Sequence, residues 1–111
     1  MLSERIDELQ LRALSGMHRH PSLFKDTPQY LFGVEPWLTV RNALVAYHDG
    51  QVGFEALLRG MLTKYGMLYF DALIDVIDNA QAVPGKGWAN TQIRHLMKAI
   101  DNAYGQGGGY A

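Results

Sequence analysis

The sequence predicts an all-α fold: a compact single-domain bundle of five to six short helices with a flexible Gly-rich C-terminal tail. Three observations carry that prediction. Apolar residues recur at helical spacing along most of the chain, and no run alternates with the period of a strand. The chain has 111 residues, which is room for one domain and no linker. Hydrophobic residues make up 48% of it, enough to exclude a disordered chain. Surface scaling gives about 6,100 Å² exposed when folded against about 18,000 Å² when open, so a core forms without staples.

In the first segment Leu2, Ile6, Leu9 and Ala13 fall on one helix face. Ser3 reads as its N-cap, and Glu4 suits the first turn, where the helix dipole favours an acid. The helix should end near Met17-His18-Arg19-His20, because Pro21 cannot continue it. Thr27-Pro28 predicts an N-cap and first position of a short helical turn that stops at Gly33. Pro36 suits the start of the next helix, which carries Trp37, Val40, Leu44 and Tyr47 on one face and stops at Asp49-Gly50.

The cleanest pattern follows. Phe54, Leu57, Leu58, Met61, Leu62 and Tyr65 form the full apolar stripe of a core-facing helix, with Gly66 as its C′ residue. The next helix carries Phe70, Leu73, Ile74 and Ile77 and ends before Val83-Pro84-Gly85-Lys86-Gly87. A last helix is predicted from near Asn90-Thr91, with Ile93, Leu96, Met97, Ile100 and Tyr104 on its apolar side. The helical domain is thus 1–104, and 105–111 is the flexible tail. Gly53 and Gly60 share a helix and mark either a close backbone approach or tolerated surface glycines.

Charge and composition exclude several classes. Ten Lys and Arg oppose eleven Asp and Glu, which disfavours both a globally basic nucleic-acid binder and an acidic DNA mimic. Without cysteine there is no disulfide framework, thiolate catalysis or Cys-ligated zinc. The start is charged and amphipathic rather than a secretory signal, and no apolar stretch is long enough to span a bilayer. A cytoplasmic protein with no membrane role is the expectation.

The candidate chemistry is sparse. Asp71, Asp75 and Asp78 fall on one helix face opposite Leu73, Ile74 and Ile77, which makes a solvated face, a protein-binding face or a carboxylate cluster for a hard cation. The Glu-x-x-His pairs of di-iron bundles do not occur. Lys86, Arg94 and Lys98, with Trp88 and His95, lie in an acid-free segment that could neutralise and stack on a nucleic-acid strand. The acidic and basic helices could equally face each other, within the fold or across a homodimer. Pro84-Gly85-Lys86-Gly87 lacks the phosphate-loop pattern and reads as an interhelix turn. His18 and His20 cannot share a helix face, and His48 and His95 each sit alone in sequence, so no metal site is expected. Ser3, Ser15 and Ser22 stand in no nucleophile motif. Tyr30, Phe32, Trp37 and Tyr47 serve either as interface anchors or as the lid of a small core.

No catalytic or cofactor spacing emerges, so neither an enzyme nor a cofactor is expected. The sequence points to a small binding protein (an adaptor, accessory subunit or phage-type inhibitor) acting through Asp71, Asp75, Asp78, Tyr30, Phe32 and Trp37. The alternative is a nucleic-acid binder using Lys86, Trp88, Arg94 and Lys98, although its preceding turn is longer than that of a helix-turn-helix. A catalytic role would require a pocket in which a carboxylate and a histidine converge.

Overall fold

The computed structural model describes the backbone of residues 2–105 and the side chains of residues 5–103. Six α-helices follow one another: α1 (Leu2–Arg19), α2 (Leu23–Asp26), α3 (Trp37–His48), α4 (Phe54–Gly60), α5 (Met67–Ala80) and α6 (Lys86–Ile100). A 3₁₀ turn, Gln29–Phe32, links α2 to α3, and π turns extend α4 through Met61–Tyr65 and α6 through Asp101–Gly105. No strand occurs among the described residues. The expected tail lies outside them apart from Gly105.

The long first helix is the axis of the bundle. Helices α5 and α6 both pack on α1 rather than on each other, and α3 closes a third side. Along α1 the apolar stripe works as its spacing predicts at Ile6, Leu9 and Ala13, which are buried, and Leu14 and Met17 join them in the core. Leu2 and Ser3 belong to the helix, but their side chains lie outside the described residues. The α1–α6 crossing is tight at one point. A Cβ placed on Gly16 would lie 2.6 Å from the Ala89 Cβ and 3.0 Å from its Cα, so the missing side chain lets the two helices touch. Beside Gly53 and Gly60 there is open space, so the close approach belongs to Gly16 and those two glycines have no neighbour to admit.

The Pro-rich connection is tied to this axis by polar contacts. Gln10, fully buried on α1, donates from Nε2 to the Leu31 carbonyl at 2.9 Å. Trp37 Nε1 donates to Asp7 Oδ1 at 3.2 Å, fixing the start of α3 against α1. Thr27 does not cap the following turn. It is buried, and its hydroxyl donates to the Leu23 carbonyl at 2.7 Å. Phe32 is fully buried and Trp37 nearly so, which corrects their reading as partner anchors: both are core residues, and of that trio only Tyr30 is exposed.

Two boundaries follow the local signals. Gly50 takes φ +80° after α3, and Gly66 takes φ +101° between the π turn and α5, a region that favours glycine. The last helix starts at Lys86 rather than near Asn90, because Ala89 on its first turn is held against Gly16. Among the described residues no helix is long and apolar enough to cross a membrane.

Candidate interaction surface

The strongest apolar stripe in the sequence is only half covered. Leu57 and Met61 are buried, but Phe54, Leu62 and Tyr65 are exposed. For Leu62 the helical phase accounts for this: at 100° per residue it lies about 120° from the direction midway between the buried Leu57 and Met61. After Gly60 the chain passes into a π turn, and the Gly66 N–H donates to the carbonyls of both Met61 and Leu62. The Thr63 hydroxyl, donating back to the Arg59 carbonyl at 2.9 Å, competes for the same carbonyl positions.

The exposed apolar surface continues onto α5. Met67 and Leu68, in its first turn, are 59% and 69% exposed. At 100° per residue they share an arc of about 100° with Asp71, Asp75 and Asp78. That arc lies opposite the buried side formed by Ala72, Leu73, Val76 and Ala80. All three carboxylates are exposed, and none forms an ion pair among the described residues. Beside Tyr65 a shallow apolar groove of about 170 Å³ runs between α3 and α4, lined by Ala43, Ala46, Val52 and Met61. Tyr65 stacks at 5.5 Å on Tyr69, whose ring packs against the core. The result is one surface: apolar and aromatic at the α4–α5 corner, acidic along the rest of α5.

The basic candidates lie elsewhere. Lys86, Arg94 and Lys98 are exposed on α6 and make no ion pair with the α5 aspartates, since α1 stands between the two helices. Trp88 is half-buried and packed against the core near Gly16. Arg5 on α1 joins His95 and Lys98 around a depression of about 290 Å³ whose lining holds no carboxylate.

One cluster escapes the sequence altogether. His18 Nδ1 and His48 Nε2 are 2.9 Å apart, within hydrogen-bond distance, and the residues are 30 positions apart in the chain. The two rings lie at a centroid distance of 5.0 Å, with Phe24 and Tyr47 against His48. Burial, and next the nearby His48, push His18 below the ordinary histidine range. Burial also lowers His48, against the opposing pull of the Asp49 carboxylate. Both rings are therefore mainly neutral at pH 7, and one nitrogen of the pair donates while the other accepts. His48 is thus not the isolated histidine its sequence position suggests. With Asp49 it lines a cleft of about 400 Å³ between the α2 region and α3, but its ring bonds to His18 and not to Asp49. No group of three or more His, Asp or Glu side chains among the described residues could hold a metal ion.

No protein-family model, no curated protein and no solved structure matches the chain.

Proposed function

We propose that this chain is a non-enzymatic protein-binding module, and that its contact surface is the outer side of the π turn and α5. The observation that supports the reading is the run of Leu62, Tyr65, Met67 and Leu68, uncovered and continuous with Asp71, Asp75 and Asp78, which form no ion pair among the described residues. Contiguous exposed apolar surface beside charge marks interaction sites more often than it marks idle surface. Its chemistry selects the partner. The fit is a basic amphipathic element whose apolar residues seat on Leu68 and Tyr65 while its Lys or Arg side chains meet the aspartates.

The test is tagged capture of the full chain in lysate of its source, run in parallel with face variants. A specific partner should be lost by Leu68→Glu and by joint reversal of Asp71, Asp75 and Asp78 to Lys. It should persist when Lys86, Arg94 and Lys98 become Ala. A partner indifferent to both face variants defeats the proposal, and a wild-type chain that light scattering finds dimeric through this face replaces the foreign partner with a second copy.

The Arg5, His95 and Lys98 depression favours one second reading, nucleic-acid binding along α6 with Lys86 and Arg94. It requires a gel shift whose salt slope flattens, by about 3 at most, when Lys86, Arg94 and Lys98 become Ala. A protein that shifts no nucleic acid at low salt ends it.

A further inference from the structure

The cleft beside the histidine pair is distinct from the α5 surface and has the construction of a small-ligand site. Its volume, about 400 Å³, lies toward the lower end of the range that small-molecule sites occupy. Pro21, Phe24 and Val45 give it an apolar lining, and Lys25 and Arg41 bring two cations to it. Neither cation forms an ion pair among the described residues. Arg41 Nη1 donates to Asn42 Oδ1 at 3.0 Å, while its Nε is buried with no hydrogen-bond partner. Its Nη2 has no hydrogen-bond partner among the described residues, which leaves the guanidinium an N–H group and its charge for an anion in the cleft.

The geometry points to a binding site for a small monocarboxylate with an apolar or aromatic body. Its carboxylate meets Arg41 and Lys25, and its body lies along Phe24 and Val45. His48, bonded to His18 and mainly neutral at pH 7, borders the site without adding charge. Asp49 also lines the cleft, so the local balance is two cations against one carboxylate. That balance leaves the cleft net positive, which suits an anion.

The probe is benzoate, titrated into the full-length isotope-labelled chain and followed by amide NMR, with benzylamine and phenyl phosphate as comparisons. Benzoate should give saturable shifts centred on Phe24, Val45 and His48, and benzylamine should give none there. Arg41→Gln should weaken benzoate by about tenfold through loss of the charge-assisted hydrogen bond. Asp49→Asn, at an exposed position, should tighten it by about threefold by removing the opposing charge. If Arg41→Gln fails to fold, Lys25→Gln and Asp49→Asn decide the matter, since both side chains are exposed. Absence of shifts, equal binding of benzylamine, or an Asp49→Asn protein that binds more weakly overturns the site. Tighter binding of phenyl phosphate than of benzoate overturns its assignment to carboxylates.

Discussion

Replacing Gly16 by Ala should destabilise the protein, although the same change in most mid-helix positions stabilises it. Alanine is preferred over glycine within a helix by about 1 kcal/mol. At Gly16, however, the new methyl carbon would sit 2.6 Å from the Ala89 Cβ. Carbon atoms in contact rest at about 3.5–4.0 Å, so α1 and α6 must part by roughly 1 Å along their shared seam. Overpacking of this kind costs about 1–3 kcal/mol, which exceeds the propensity gain. The expected net loss is about 1 kcal/mol, or a fall of roughly 4–8 °C in Tm for a domain near this size.

Urea unfolding followed by circular dichroism measures it, with Gly60→Ala as the control. Gly60 has φ −63° and open space beside it, so alanine there should add about 0.5–1 kcal/mol. The pair should thus move in opposite directions. A double-mutant cycle with Ala89→Gly locates the cause, because the two small residues face each other and their effects should couple by about 1 kcal/mol. A Gly16→Ala protein as stable as the wild type, or additive effects with Ala89→Gly, would refute the tight crossing.

Other expectations follow from contacts at the same axis. Trp37→Phe should cost about 1 kcal/mol through the lost bond to Asp7, and Trp37→Ala about 3–5 kcal/mol through the cavity it leaves, both read from urea midpoints. His18 and His48 titrate below the ordinary histidine range in the folded protein, so the unfolded chain binds protons more readily. Stability should therefore be full above the ordinary histidine range and decline as pH falls through it towards the folded values. Melting temperatures at pH 7.5 and 5.5 test this, and His18→Gln should flatten the difference; an unchanged slope would place the pH dependence elsewhere.

The sequence disclosed helices more readily than surfaces, for physical reasons that individual residues make plain. Breaks at Pro21, Gly50 and Gly66 depend on backbone chemistry carried by those residues alone, and each falls at or beside a helix boundary in the structure. The start of α6 was harder to read because the contact that secures its first turn, Gly16 against Ala89, joins distant parts of the chain. The stripe from Phe54 to Tyr65 misled because its six residues span an arc of about 140°, and only Leu57 and Met61 at one edge of that arc are buried by the rest of the bundle. Phe32 and Trp37 show that an aromatic residue in a loop announces its bulk but not which side of the chain becomes interior. The His18–His48 pair had no sequence signal, since nothing local links two residues brought together only when α1 and α3 pack. The aspartate row was visible from its spacing. That Met67 and Leu68 extend it with apolar surface became visible only once the core side of α5 was known.

That extension bears on function because folding does not require it. The first turn of a helix favours polar caps and acidic side chains, which satisfy free N–H groups and the positive end of the dipole. Here α5 instead opens with Met67 and Leu68, both exposed and absent from the buried cluster. Replacing Leu68 by Glu therefore removes no core contact. The new carboxylate gains about 0.3–1 kcal/mol from the dipole and loses about 0.2–0.5 kcal/mol to its neighbour Asp71. Folding stability should stay within about 0.5 kcal/mol of wild type, by urea unfolding, while partner capture is lost. If Leu68→Glu instead unfolds the protein, the α4–α5 corner is part of the core and the apolar residues there have a structural purpose. If it folds normally and still captures the partner, the corner is surface, but not the surface through which the protein acts.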